Sequence, residues 1–392
     1  MTYRPEAPAP QSRRGPRPLL LHLSLAWTRS NGSPAAWLNW SNAWASCWQS
    51  GNPPDPAQLQ KALETAATSD RALIAGIAAY RAAPYTRALR DPPVLWEEGE
   101  SRLLDYGGEG PAVLFVPSLI NRAYILDLME DASMLRWLAG QGMRPLLLDW
   151  GWPGEVERQF SLTDYIAGRL ERALSTLPGP VVLAGYCMGG LLALAAALRQ
   201  PGKIRALALL ATPWDFHRPD PDGAARVAEA LPALDAMLRF SGTLPIDALN
   251  TLFTLIDPHG VGDKYRDFAG QTKTSPRARR FVAMEDWLAD GVPLAAPVAR
   301  ETLGGWYGAN TPATGKWRVA GLPIDPACLT MPAFFAIPAR DRLVPAESAR
   351  ALAAKIAHAT VIEPQAGHIG MVAGTHAKTA LWQPFAEWLQ RL

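Results

Sequence analysis

Val181-Val182-Leu183-Ala184-Gly185-Tyr186-Cys187-Met188-Gly189-Gly190 is followed by the alanine- and leucine-rich run Leu191 to Leu198. The apolar residues before Gly185 read as a buried parallel strand, and those after Gly190 as a helix. Between them lies the nucleophile-elbow pattern G-x-[nucleophile]-x-G, with cysteine where serine is commoner. A strand that turns sharply into a helix forces the residue at the bend into a strained backbone. Gly185 and Gly189 let the flanking chain pack closely. The bend lifts the Cys187 sulfur to the carboxyl edge of the sheet and aims the helix's N-terminal amides at it, which favours thiolate. A buried cysteine in an apolar βα unit is the bland alternative. The glycine spacing on both sides favours the catalytic reading.

The α/β rhythm extends on both sides of the elbow. Val94 to Trp96 and Leu103 to Tyr106 look like a leading pair of strands, and Ala112 to Val116 is a buried strand stopped by Pro117. A helix is predicted over Ala132 to Gln141, a strand over Pro145 to Trp150, a helix over Leu162 to Leu177 and a strand over Ile204 to Leu210. Residues 214–325 lose the rhythm in short helical patches and proline breaks. Phe240, Phe253, Tyr265, Phe268, Trp287, Trp306 and Tyr307 look exposed there. An insertion between two strands of a parallel sheet is where a lid would sit. Ala333 to Ile337 resumes the sheet, Ala346 to Ala357 is a helix, Thr360 to Ile362 is the last strand, and Pro384 to Leu392 a closing helix. Such alternation implies a mostly parallel sheet with right-handed crossovers. The fold class is therefore α/β, an α/β-hydrolase core over 94–213 and 326–392 with a cap inserted at 214–325.

Residues 1–33 are rich in Pro, Arg and Ser and read as a flexible arm; 34–93 read as a helical segment. Within it Trp37, Trp40, Trp44 and Trp48 recur on one helical face. A docked stripe is the simpler explanation, and contact with a lipid or polymer-granule surface the sharper one. Arg13-Arg14 before Pro18 to Trp27, with Ala43-Trp44-Ala45 beyond, superficially resembles an export signal, but His22 and Ser24 break the apolar stretch. No run approaches the ~18 apolar residues of a membrane span.

At 392 residues, 48% hydrophobic and 19% charged, the chain can bury a large core. A net charge of +2 without a basic stripe argues against nucleic acid as a partner. The three cysteines Cys47, Cys187 and Cys328 are too scattered for a disulfide framework or a metal site. A reducing, cytoplasmic setting is expected, with no metal and no cofactor.

An elbow cysteine needs a base, and the base an orienting carboxylate. In this topology both follow the nucleophile, on loops after late strands. Asp341 lies in Pro338-Ala339-Arg340-Asp341-Arg342-Leu343-Val344-Pro345, after the strand at 333–337. His368 lies in Ala366-Gly367-His368-Ile369-Gly370, after the last strand. His22, His217, His259, His358 and His376 follow no late strand directly. Acyl transfer also needs donors for the oxyanion. The Met188 amide is one, and the loop after 112–116 should supply the other from Ser118 or, preferably, Leu119.

With these residues in place the chain resembles the polyhydroxyalkanoate synthase family, α/β-hydrolase-fold acyltransferases with a G-x-C-x-G-G elbow. Val116-Pro117-Ser118-Leu119-Ile120-Asn121-Arg122-Ala123-Tyr124-Ile125-Leu126-Asp127-Leu128 is similar to a stretch of that family. So are Trp306-Tyr307…Asn310 and Gly321-Leu322-Pro323-Ile324-Asp325, and the likeness runs over about 94–390. It implies Cys187, Asp341 and His368 as nucleophile, acid and base. It also implies transfer of 3-hydroxyacyl groups from CoA thioesters, as substrates rather than cofactors, onto a polyester through an acyl-cysteine. A thioesterase or polyester depolymerase would use the same triad and end with water. The resemblance also implies a homodimer, and the size is nearer the short members that work with a partner subunit. Arg342 stands where the family usually has histidine after its aspartate, and the N-terminal part is shorter than in the large single-subunit synthases.

Overall fold

The structure is a computed structural model that describes residues 13–32 and 56–392. Its contacts divide the chain into two compact units, one of 1–86 with 257–289 and one of 87–256 with 290–392.

The larger unit is built on an eight-stranded sheet. Its strands are β1 (Val94–Glu98), β2 (Ser101–Asp105), β3 (Ala112–Val116), β4 (Arg144–Asp149), β5 (Val181–Tyr186), β6 (Ile204–Leu210), β7 (Ala333–Ala336) and β8 (Ala359–Ile362). They lie in the order β1-β2-β4-β3-β5-β6-β7-β8. β1 pairs antiparallel with β2 and β2 antiparallel with β4, and every other pairing is parallel. The sequence explains the difference. β5 is buried at every residue and β3 at all but its first, as strands covered on both faces must be. β1 alternates exposed and half-buried residues, as an edge strand does. The chain passes from β3 to β4 on one side and then returns to β5 on the other. β3 and β5 are thus the neighbours at which the strand order reverses, where an open α/β sheet forms its binding crevice.

The helix after β5, Met188–Arg199, is buried from Met188 through Ala197. Leu191, Leu192 and Leu194 join Leu114, Leu183, Leu207 and Phe335 in the central core. Each such leucine contributes about 1.5–3 kcal/mol by leaving water. The insertion residues of this unit are more helical than the sequence suggests. Pro221–Glu229, Leu231–Ser241, Ile246–Ile256 and Ala296–Arg300 are α-helices, and Glu301–Gly308 is a π-helix.

The smaller unit comprises helices Leu19–Gly32, Pro56–Arg81, Gly260–Ala269 and Pro276–Ala289. Phe268 stacks on Phe281 at 4.3 Å, and Tyr80 meets Tyr265 edge-on at 5.6 Å. Gly76 permits the close crossing, because a Cβ there would lie 1.9 Å from the Tyr265 carbonyl oxygen. Tyr80 and Arg13 both donate to Asp286 at 2.8 Å.

Three expectations are corrected. The arm over 1–33 is helical from Leu19 to Gly32, where Leu19, Leu23 and Ala26 pack on the core of the smaller unit. The insertion 214–325 is not one cap: 257–289 belongs with the N-terminal helices, and the separating boundary falls at 86/87 instead of 93/94. Of the insertion aromatics, Tyr265, Phe268, Trp287 and Trp306 are buried, while Phe240 is 96% exposed. Trp37, Trp40, Trp44, Trp48 and Ala43-Trp44-Ala45 lie outside the described residues.

Candidate active site

Cys187 sits between β5 and its helix with φ 57° and ψ −129°, a conformation that L-residues rarely adopt. Its amide donates to the Leu210 carbonyl at 2.8 Å, which ties the bend to the end of β6. The three elbow glycines are spatial necessities. A Cβ at Gly185 would lie 2.3 Å from the Gly190 Cα. At Gly189 it would lie 2.1 Å from the Val116 carbonyl oxygen, and at Gly190 1.9 Å from the Thr212 hydroxyl. Glycine at 189 therefore brings the loop after β3 directly against the first turn of the helix. Trp150 holds that loop by donating from Nε1 to the Pro117 carbonyl at 3.0 Å. Ser118 Oγ accepts the Ile120 amide at 3.2 Å and shapes the turn that carries Leu119. The two segments bearing the Met188 and Leu119 amides are thus adjacent, as an oxyanion site requires.

His368 begins a short helix, His368–Ala373, just past β8, and is 9% exposed. Its Nδ1 is 2.6 Å from Asp341 Oδ2. The other Asp341 oxygen accepts the Leu343 and Val344 amides, each at 2.9 Å. The aspartate side chain is fully buried, and these bonds fix its rotamer beside the ring. With Nδ1 committed to Asp341, Nε2 is the ring nitrogen left to serve Cys187. Burial lowers the His368 pKa. The negative sulfur, the Asp341 carboxylate and the hydrogen bonds to both outweigh burial and push it up to about 10. Cys187, Asp341 and His368 come from three loops separated by up to 181 positions, and the fold brings all three together.

An aromatic cluster of the insertion reaches the sulfur through Tyr307. Burial and the nearby Cys187 charge push Tyr307 up to about 12. Phe216 packs between Trp306, at 5.5 Å, and Tyr307, at 5.0 Å. Asn310 locks this cluster: Nδ2 donates to Asp215 Oδ1 at 2.8 Å and Oδ1 accepts the Phe216 amide at 3.1 Å. Asn310 has φ 47°, which asparagine tolerates better than most residues. The stretch ending in Asp127 has a different task. Asp127 is fully buried and accepts from Arg136 at 2.8 and 3.0 Å, from Arg87 at 3.0 Å and from the Tyr106 hydroxyl at 3.2 Å. It is a structural knot.

The sequence reading assigned no role to Phe216 or Tyr186. Phe216 follows a strand end as Asp341 and His368 do, and that position is the signal that could have found it. Tyr186 gives no such signal, since the elbow pattern leaves its position open.

Residues 111–375 match the family described as alpha/beta hydrolase fold. The poly(3-hydroxyalkanoate) polymerase subunit PhaC of Synechocystis sp. is 30% identical over 71% of this chain and 77% of its own. The protein of the same name from Allochromatium vinosum is 29% identical, over 71% of this chain and 80% of its own. Among solved structures, a monoacylglycerol lipase of Paleococcus ferrophilus superposes with TM-score 0.49 at 15% identity, covering 74% of this chain and 98% of that one.

Proposed function

Since this chain belongs to the poly(3-hydroxyalkanoate) polymerase family of the alpha/beta hydrolase fold, we propose that it transfers 3-hydroxyacyl groups from CoA thioesters to a growing polyester through an acyl-Cys187 intermediate. The observation that carries this reading is the buried His368–Asp341 pair, 2.6 Å apart, set beside Cys187 at the elbow.

The chemistry follows from the charges. His368, oriented by Asp341, takes the Cys187 proton; the thiolate so formed attacks the thioester carbonyl, and the Met188 and Leu119 amides receive the oxyanion. As the tetrahedral adduct collapses, the bond to CoA sulfur breaks and His368 protonates that sulfur. Acylation has by then discharged the thiolate, the foremost influence raising the imidazole pKa, while burial still lowers it. The imidazolium is thus made more acidic at the moment a leaving group needs its proton. The neutral ring then takes the proton of the incoming 3-hydroxyl, the alkoxide attacks the acyl-cysteine, and the Cys187 thiolate is expelled. Exchange between two thioesters is nearly balanced in free energy, so cysteine suits the first step. Phe216, Trp306 and Tyr307 would exclude the water that turns transfer into hydrolysis.

The reading needs neither metal nor cofactor. It places the enzyme in the cytoplasm, at the surface of its own product, alone as a homodimer or with a partner subunit. No described helix is long and apolar enough to cross a membrane. Product analysis with 3-hydroxybutyryl-CoA tests the proposal. Polymer with one CoA released per unit is expected, and free 3-hydroxy acid in stoichiometric yield would overturn it. Cys187→Ala should abolish acyl-enzyme formation and lower turnover by roughly three orders of magnitude or more. An active Cys187→Ala protein would end the acyl-cysteine mechanism.

A further inference from the structure

Tyr186 precedes the nucleophile at a position the elbow pattern leaves unspecified, yet it reaches across the site to the base. Its hydroxyl donates to the His368 backbone carbonyl at 3.2 Å. Its ring lies 5.2 Å from the imidazole, tilted by 35°. The side chain is buried, 3% exposed, so water does not compete for this bond.

We propose that Tyr186 is a positioning residue of the acyl-transfer reaction, whose hydroxyl holds His368 against the elbow while the sulfur is acylated and uncharged. The proposal rests on the acyl-cysteine reading above. Before acylation the imidazole has three neighbours to hold it: the Asp341 carboxylate, the Cys187 sulfur, and the Tyr186 bond to its own backbone. Acylation removes the sulfur as a partner of the ring, just when the neutral ring must find the incoming hydroxyl. The segment carrying His368 is tied before that residue by the Arg340 amide, which donates to the Ala366 carbonyl at 3.0 Å. Its helix has only six residues, starts after Gly367, and has no side-chain cap. Its firm anchor, Trp382 Nε1 donating to the Val372 carbonyl at 3.0 Å, lies a turn further on. Tyr186 supplies a further restraint at His368 itself, from the residue next to Cys187. One rigid turn thus sets the positions of both nucleophile and base. Misplacement by about 1 Å at such a centre costs on the order of a hundredfold in rate.

Tyr186→Phe in the full chain removes only the hydroxyl. With 3-hydroxybutyryl-CoA, the initial burst of CoA release should stay within about twofold of the parent. Steady-state turnover should fall about tenfold with KM within about twofold, and acyl-enzyme should accumulate. A burst and a turnover that fall together, or a turnover equal to the parent's, would overturn the proposal. A second measurement needs no substrate. Iodoacetamide converts Cys187 to a neutral thioether, and the downfield Nδ1 proton of His368 is then observed by NMR. It should be sharp in the parent and exchange-broadened in Tyr186→Phe; identical resonances would refute the positioning role. A parent without a CoA burst would instead defeat the acyl-cysteine reading, and the NMR comparison would still judge Tyr186.

Discussion

At the scale of single residues, the site turns on one proton. Because the His368 pKa is raised, its imidazolium persists below about 10 and is lost above it. The burst of CoA release should therefore hold through neutral pH and fall as pH passes about 10, where the ring can no longer protonate the leaving sulfur. Stopped-flow measurement between pH 7 and 11 checks this; a burst already lost by pH 8 would contradict the raised imidazole pKa. His368→Gln removes the base beside the sulfur, so alkylation of Cys187 by iodoacetamide at neutral pH should slow on the order of tenfold. These residues were legible in the sequence because each lies just beyond an apolar strand, in the chain order this topology imposes. Tyr186 was not, because a hydrogen bond to a backbone carbonyl 182 positions away leaves no local pattern. Nor was the structural role of Asp127, whose arginine partners lie 40 positions before and 9 after it.

At the scale of elements, the elbow tolerates no side chain where its glycines stand. Gly189→Ala would drive a methyl group into the Val116 carbonyl, a backbone atom that cannot rotate away. We expect a loss of about 1–3 kcal/mol in urea unfolding, together with loss of the burst as the loop bearing Leu119 is pushed off. A second element is pinned by charge. Arg169, in the π-helical segment Asp164–Leu170, donates to Glu157 at 2.6 Å, and both side chains are about 4% exposed. Glu157→Ala would leave the guanidinium buried without that partner, at a cost of about 3–5 kcal/mol by denaturant titration. A change under 1 kcal/mol would show that Glu98, 3.5 Å from the same arginine, takes over. Strand runs were read nearly to the residue because their apolar content is continuous. The π-helical turns were read as ordinary helix or loop, because one extra residue per turn hardly alters apolar spacing.

At the scale of the molecule, the chain assembles two units from interleaved segments, and the sequence did not disclose it. Apolar residues on a helix say that one face is covered without naming what covers it. Tyr265 and Phe268 therefore looked like surface aromatics of a lid, whereas their partners include Leu73, Ile77 and Tyr80 near the other end of the chain. A chain beginning at Arg87 would strip those partners away, and we expect it to aggregate on expression, read by the soluble fraction. A well-behaved monomer would show that 257–289 needs no N-terminal helices.

That interleaving has a consequence for biosynthesis. Helices Leu19–Gly32 and Pro56–Arg81 leave the ribosome about 170 residues before the pair that completes their core, a wait on the order of ten to thirty seconds at roughly 5–20 residues per second. Throughout it the greasy side of Pro56–Arg81 has nothing native to rest on. The nascent protein should lean on a chaperone during that window, and depleting such holdases in the producing cell should lower its yield.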